Sequence, residues 1–161
     1  MQLHFWLIFL AGLIPLLTGF IWYHPKVFGN AWMKAAGMNE ETMKGANMAL
    51  IFGLCYLFGC MLASALMTIV IHQMGFNSAL QGDTTPETAA YMKNFFELYG
   101  NRFRTFKHGT LHGTISALFI ALPVLGTVAL FERKGFKYVA IHTGYWMLTM
   151  ALMGGVLCAF M

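Results

Sequence analysis

Two histidines one helical turn apart have the clearest capacity for chemistry in this sequence. His108 and His112 lie in the stretch KHGTLHGT, residues 107–114. Side chains four positions apart share one face of a helix, and two imidazoles at this spacing can bind one metal ion. Gly109 and Gly113 have the same spacing on an adjacent face. If these glycines pack against a neighbouring helix, the histidines face a crevice rather than lipid.

Other histidines can join this pair. The sequence contains six histidines, and we expect His72 and His4 at a similar membrane depth to His108 and His112. Polar groups inside a membrane are costly unless they have partners. We therefore consider that His108 and His112, with His72 or His4, form a metal, haem or proton-relay site. The alternative is that these rings are ordinary interfacial side chains, each with an apolar body and a wet tip.

Other patterns point less clearly to chemistry. Several methionines could bind copper, although methionine is also an ordinary filler of apolar packing: Met147, Met150, Met153 and Met161. The sequence has no P-loop, no HExxH motif and no nucleophile elbow, so we do not expect an enzyme. The predicted spans contain no Asp or Glu in their cores, which disfavours a typical ion-coupled transporter. All three cysteines lie in predicted spans, where we expect packing roles rather than disulfides: Cys55, Cys60 and Cys158.

Four long apolar runs must position these residues. The 161-residue chain is 58% hydrophobic and only 10% charged, whereas soluble domains carry about 25% charged residues. A helix of about 20 residues crosses the hydrocarbon of a bilayer. The sequence therefore predicts an all-α integral membrane protein, a four-helix transmembrane bundle forming one domain over residues 1–161. The predicted spans cover residues 3–24, 46–74, 108–131 and 137–160. The first run lacks a basic start and a cleavage site, so we expect a retained helix.

Individual residues predict where these helices start, bend and pack. Asn39 can cap the second helix, with Glu40 and Glu41 in its first turn, so the helix is expected to run from about 40 to 74. Pro15 and Pro123 predict kinks in the first and third spans. Small residues allow close helix packing, and the glycines expected at helix contacts are Gly59, Gly109, Gly113, Gly144 and Gly155.

The long loop between spans two and three is predicted to contain a short amphipathic interfacial helix. Thr85 caps it and Pro86 occupies its first position. Its apolar face carries Met92, Phe95, Phe96 and Tyr99. Basic residues follow it beside the third span, and we expect them to contact lipid headgroups: Arg102, Arg104 and Lys107. The net charge of +4 does not indicate nucleic-acid binding.

Four spans would place both termini and the long loop on the same side of the membrane. Six Lys and Arg residues fall on the opposite side and four on this side. Cytoplasmic loops usually carry the excess of positive charge, but this difference is too small to assign the orientation.

The stretch WYHPKVFGNAWMK, residues 22–34, resembles the hallmark of a bacterial membrane family, the domain of unknown function 1761. Members of that family show WY-x-P-x-x-FG-x-x-WM after a first span. The resemblance extends to a Gly-rich third span and to a fourth span over residues 141–155, with its Gly144-Tyr145 pair. It implies a small four-helix protein of the bacterial inner membrane. It implies no activity and no catalytic residues.

Three functions remain open from the sequence. The leading expectation is a structural or accessory membrane component that acts through helix–helix and lipid contacts, alone, as a homo-oligomer or in a larger complex. A small oligomeric transporter or channel is the first alternative and requires a polar cavity between helices. A histidine-based binder of a metal ion or haem at one membrane face is the second.

Overall fold

The structure, a computed structural model, describes residues 3–39 and 41–161. The regular elements in these residues are all helical, which confirms the all-α prediction for this part of the chain. The α-helices are α1 (Leu7–Ala11), α2 (Ile14–Trp22), α3 (Asn30–Ala36), α4 (Met48–Val70), α5 (His72–Ala79), α6 (Pro86–Tyr99), α7 (Phe106–Ser116), α8 (Leu122–Phe131) and α9 (Phe136–Phe160). The segments Pro25–Gly29 and Ala117–Ala121 are π-helical turns.

Three helices are long and apolar enough to cross a membrane. They are α4, α9 and the continuous helix Phe106–Phe131, which consists of α7, a π-helical turn and α8. Their mean hydropathies are 2.1 for α4, 2.2 for Phe106–Phe131 and 1.4 for α9. A fourth crossing is available if Leu7–Trp22 and Pro25–Ala36, which meet at a bend of 57°, form one span. Length and composition therefore provide three or four spans within the described residues.

Both prolines that predicted kinks lie where a regular α-helix is interrupted. Pro15 is the second residue of α2, and the preceding helix ends at Ala11. Because proline has no N–H, Pro15 cannot donate to the Ala11 carbonyl, and the first apolar run becomes two short helices rather than one kinked helix. Pro123 follows the π-helical turn Ala117–Ala121, where one wider turn absorbs the missing hydrogen bond without ending the helix.

The second long helix starts later than its capping pattern predicted. Asn39 accepts a hydrogen bond from the Thr42 N–H at 2.8 Å, but this bond closes only a local turn. Helix α4 begins at Met48, where the side chain of Asn47 accepts from the Leu50 N–H at 3.1 Å. Both asparagines fit the N-cap preference, and the apolar run begins only after the second one. Glu40, which was assigned to the first turn, lies outside the described residues.

The same helix ends earlier than predicted, at Val70 instead of residue 74. Ile71 has an extended backbone, with φ −106° and ψ 90°, and its side chain is completely buried. The chain therefore breaks inside the apolar run, and His72 becomes the first residue of the separate helix α5. Apolar composition concealed this break because Ile71 is as hydrophobic as the helix before it.

Helix α9 is the central element of the structure. Buried residues make up 44% of an apolar 18-residue stretch of α9, against 22% for the corresponding stretch of α4 and 17% for that of Phe106–Phe131. Helix α7 packs along it through two glycines. A Cβ atom on Gly109 would collide with the Gly154 carbonyl oxygen, and one on Gly113 with the Met150 carbonyl oxygen. The two backbones are therefore in direct contact, as small-residue seams in membranes allow.

The other three glycines that were assigned to packing also lie at contacts. Gly59 of α4 faces the Gly12 carbonyl, so α4 crosses the first helical run at backbone distance. Gly144 leaves room for the Trp22 ring, and Gly155 leaves room for the Phe106 ring. Buried side chains from several helices fill the core between them, including Leu66, Ile71, Met153, Leu157 and Cys158.

The α7–α9 contact predicts a strong asymmetry between two glycines of the same long helix. The substitution Gly113→Ala should lower the stability of the detergent-purified protein by about 1–3 kcal/mol, because the new methyl group meets main-chain atoms that cannot move alone. Gly126 has no heavy atom within 4 Å of an added Cβ. Gly126→Ala should therefore be neutral or stabilising. Thermal unfolding of both variants measures the difference, and equal midpoints would contradict the backbone contact.

Candidate metal centre

Three histidines from two helices converge on one site. One ligand nitrogen from each of His72, His108 and His112 lies within 4.8 Å of the other two. The ring centroids are 4.5 Å apart for His108 and His112, 4.8 Å for His72 and His112, and 5.0 Å for His72 and His108. His72 is exposed and the other two are half-buried. We call this group the histidine triad.

Two members of the histidine triad share a hydrogen bond. The Nε2 atoms of His72 and His108 are 2.9 Å apart, so one nitrogen donates a proton and the other accepts it. In a tetrahedral zinc site, Zn–N bonds of about 2.0–2.1 Å separate ligand nitrogens by about 3.4 Å. An ion would therefore replace the shared proton and widen this pair by about half an ångström. The exposed position of His72 allows such an adjustment.

The donor set limits which ions fit the histidine triad. Neutral imidazoles favour zinc, copper, nickel and iron over calcium or magnesium. Three protein ligands also leave one tetrahedral position for water or another molecule, as in catalytic rather than structural zinc sites. The methionines considered as copper ligands do not join this group: Met150, Met153 and Met161 belong to the buried apolar core, and Met147 packs against it.

Local sequence explains how α7 presents its two histidines. The Thr105 hydroxyl accepts a hydrogen bond from the His108 N–H at 3.2 Å and caps the start of α7. His108 and His112 therefore occupy the first turns of the helix. Gly109 and Gly113 place the neighbouring face of α7 against α9, which leaves the histidine face directed away from that contact.

Phe103 borders the histidine triad, and sequence reasoning gave it no role there. Its ring stacks on His108, with centroids 5.0 Å apart and planes at 17°, and meets His72 edge-on at 6.3 Å. Its φ angle of 63° is in the left-handed region. This conformation is energetically unfavourable for a residue with a bulky side chain. Phe103 therefore covers one side of the triad in a conformation that the surrounding contacts must maintain.

Gln73 provides one of those contacts, a role that the sequence analysis did not predict. It is only 4% exposed, and its amide nitrogen donates to the carbonyl oxygens of Tyr99 and Arg102, both at 2.8 Å. These bonds reach one carbonyl group at the end of α6 and one in the following turn, and so attach α5 to the turn that carries Phe103. A polar Gln directly after His72, where the apolar run ends, is the signal that could have indicated this role.

His4 does not join the histidine triad. Its backbone N–H donates to the carbonyl oxygen of Met161 at 3.1 Å, which brings the two ends of the described chain together. His142 lies in α9 with its Nδ1 atom 2.8 Å from the hydroxyl of Tyr23. His24 accepts a hydrogen bond from the Lys26 N–H at 3.2 Å. Of the four histidines assigned to the metal site, the structure brings together three.

The basic residues before α7 have different surroundings. Arg104 donates from Nε to the Cys158 carbonyl oxygen at 2.9 Å, in the last turn of α9. A cation at the C-terminus of a helix satisfies an orphan carbonyl and interacts favourably with the helix dipole. Partial burial lowers the pKa of Arg104, although arginine keeps its charge. Arg104 thus has an internal partner in α9, whereas Arg102 and Lys107 are exposed, and the headgroup contact stays a prediction for all three residues.

The stretch at residues 22–34 joins the first helical run to α9. Trp22 donates from Nε1 to the Ile141 carbonyl oxygen at 3.1 Å, next to the Tyr23–His142 contact. Phe28 packs on the Trp22 ring and Trp32 meets Tyr23 edge-on, with centroids 4.4 Å and 5.4 Å apart. The aromatic residues of this motif therefore build a structural contact with α9, away from the histidine triad.

Polar side chains between α2 and α9 satisfy one another. The hydroxyls of Thr18 and Thr149 are 2.7 Å apart and buried, and the Tyr145 hydroxyl donates to the Pro15 carbonyl oxygen at 2.9 Å. Such paired groups hold two helices together in an apolar environment. Hydrogen bonds occupy this contact between α2 and α9, whereas the transporter alternative requires an open polar cavity between helices.

Comparison with known proteins identifies one family. The family model described as "Protein of unknown function (DUF1761)" matches residues 6–158. This match confirms the resemblance indicated by the stretch at residues 22–34. No curated protein and no solved structure matches the chain.

The distinct contacts of Arg104 and Lys107 generate a prediction. Arg104→Gln should lower the stability of the purified protein by about 1–2 kcal/mol, because it removes a charge-assisted hydrogen bond from the end of α9. Lys107→Gln, which removes an exposed charge three residues away, should change it by less than about 0.5 kcal/mol. Thermal unfolding in detergent compares the two, and equal losses would argue against the capping role.

Proposed function

This chain belongs to the DUF1761 family, and from that premise we propose that it is a four-span membrane protein that binds a transition-metal ion at one membrane face. The observation that carries the proposal is the convergence of three imidazole nitrogens within 4.8 Å. The ligands come from α5 and α7, which are joined by 26 residues of helix and turn between Ala79 and Phe106 in the chain order. A shared ion would hold these two segments together.

Exposed apolar side chains support the membrane location. Phe20 is 80% exposed, Phe119 is 76% exposed and Phe58 is 59% exposed. Phe20 lies in α2, Phe58 in α4, and Phe119 in the π-helical turn that follows α7. Apolar surface on this scale is unfavourable in water and is suited to hydrocarbon. Hydrocarbon around these helices explains why so little of α4 and Phe106–Phe131 is buried inside the protein.

The bent pair Leu7–Trp22 and Pro25–Ala36 completes the proposed four spans. Four spans place both termini on one side, and the bond between His4 and Met161 supports this arrangement. The histidine triad and helix α6 then lie on the same side as the termini. The turn between α8 and α9 lies on the opposite side. The bacterial inner membrane, implied by the sequence resemblance, remains the proposed location.

The accessory role that was the leading expectation from sequence is the second candidate. The exposed apolar surface of α4 and Phe106–Phe131 favours it, because such surface suits lipid or a neighbouring transmembrane helix. This role requires no ion, so metal binding separates it from the first proposal.

The proposed topology predicts opposite accessibility for two loop positions. In sealed vesicles, an impermeant maleimide should label Asp83→Cys and Glu132→Cys from opposite sides, since α7 and α8 cross the membrane between them. Both parent residues are exposed, so neither substitution removes a core contact. Asp83→Cys also removes two local hydrogen bonds, from the Thr85 N–H and the Thr88 hydroxyl, which lie outside the predicted spans. The cysteine-free parent, with Cys55, Cys60 and Cys158 replaced by Ala, provides the background. Labelling of both positions from one side would contradict the proposed topology.

The histidine triad predicts one bound ion per chain. Protein purified in a non-ionic detergent should bind one Co²⁺ or Zn²⁺, followed by cobalt absorption and by elemental analysis after gel filtration. His112→Ala and His72→Ala should each weaken binding by about 100-fold or more, as loss of a ligand exceeds the 10–100-fold cost of losing a supporting residue. Circular dichroism verifies that each variant is folded.

Histidines outside the triad provide the matched controls. His4→Ala and His24→Ala should retain the ion with unchanged affinity, because neither side chain is in the group. Wild-type protein that binds no ion, or a His112→Ala variant that binds as tightly as wild type, would overturn the metal proposal and favour the accessory role.

A further inference from the structure

A groove adjoins the histidine triad and shares one of its residues. The groove has a volume of about 420 Å³ and is lined by His72, Gln73, Phe95, Tyr99, Arg102 and Phe103. This volume is within the range of about 300–1,000 Å³ that is common for small-molecule sites. A ligand in the groove would therefore lie directly beside an ion held by the triad.

The charge of this region has no acidic counterpart. The histidine triad contributes three neutral ligands, and the residues lining the groove include Arg102 but no Asp or Glu. On the nearby helix α6, Glu97 is already 3.9 Å from Lys93. A divalent ion in the triad would therefore keep its full charge beside a guanidinium, and an anion would stabilise both.

Arg102 is held at the edge of the groove. Its guanidinium carbon lies 5.5 Å from the centre of the Tyr99 ring and 5.2 Å from that of Phe103. Its own carbonyl oxygen is fixed by Gln73. Stacking on aromatic faces leaves the in-plane N–H groups of a guanidinium directed outward, where they can bind two oxygens of a phosphate or carboxylate.

The floor of the groove is aromatic. Phe95, Tyr99 and Phe103 line it, and Phe76 stacks on Phe95 with ring centroids 3.7 Å apart. These rings suit an apolar chain rather than a small hydrated anion. Their position at the end of the proposed membrane spans is the depth at which lipid headgroups lie.

On these grounds, and resting on the metal site proposed above, we propose that the groove binds an amphiphile with a phosphate or carboxylate headgroup. One headgroup oxygen occupies the open position on the ion, a second accepts from Arg102, and the apolar chain lies along Phe95 and Tyr99. A membrane phospholipid with an exposed phosphate and free inorganic phosphate share the headgroup chemistry. The aromatic floor favours the phospholipid.

Cobalt absorption provides the test, because the spectrum reports on the ligands of the ion. Cobalt-loaded protein in a non-ionic detergent is titrated with short-chain phosphatidic acid, inorganic phosphate or short-chain phosphatidylcholine. Phosphatidic acid should change the cobalt spectrum and bind at least about tenfold more tightly than inorganic phosphate. Phosphatidylcholine, which has no terminal phosphate, should leave the spectrum unchanged.

Two variants separate binding of the headgroup from binding of the acyl chain. Arg102→Gln should weaken the binding of phosphatidic acid about tenfold or more, because one charge-assisted hydrogen bond is lost, and should leave the cobalt content unchanged. Phe95→Ala should weaken phosphatidic acid but not inorganic phosphate. Lys137→Gln removes an equal charge from the start of α9 and should change neither affinity.

The outcomes separate this inference from the metal proposal. If cobalt binds but phosphatidic acid leaves its spectrum unchanged, or if Arg102→Gln binds phosphatidic acid as tightly as wild type, the amphiphile proposal fails and the metal site stands. Equal affinities for phosphatidic acid and inorganic phosphate would also overturn it, in favour of a simple anion site. If no cobalt binds, both proposals fail.

Discussion

The direct contact between the backbones of α7 and α9 determines the arrangement of the remaining structure. Gly109 and Gly113 lie against main-chain atoms of α9, so no side chain separates the two helices. Apolar side chains facing lipid provide little force between helices, and close van der Waals packing must hold them together. The same contact orients α7. Because the glycine face of α7 lies against α9, the histidine face has a fixed direction. His108 and His112 can therefore lie close to His72.

Breaks in the helices position the polar groups. The extended Ile71 separates α4 from α5, and the left-handed Phe103 precedes α7. The ends of helices leave carbonyl groups without helical partners, and side chains from other segments supply donors. Gln73 donates at the end of α6, Arg104 at the end of α9, and Lys134 to the Ala36 carbonyl at the end of α3. These bonds connect short helices and turns to one another and to the long helices.

Sequence patterns predicted the long helices well and their interruptions poorly. Apolar length predicts where α4 and α9 lie, because a helix satisfies its own backbone hydrogen bonds along such a run. The break at Ile71 is invisible to this criterion, since the residue is as apolar as its neighbours and completely buried. The spacing of His108 and His112 predicts a shared face, but the roles of Gln73 and Phe103 arise from contacts between segments far apart in sequence. Pattern analysis within one helix cannot find such contacts.

The position of the histidine triad near helix ends has an electrostatic reason. Neutral imidazoles can be accommodated near hydrocarbon at modest cost, whereas a divalent ion without nearby carboxylates requires a polar environment. At the middle of a span, the ion's charge would meet mainly apolar side chains and paired hydroxyls such as those of Thr18 and Thr149. At the first turns of α5 and α7, water and headgroups can reach the exposed His72. The proposed three-histidine site at the membrane surface is therefore compatible with this apolar chain, and the uncompensated charge of a bound ion would attract an anionic ligand.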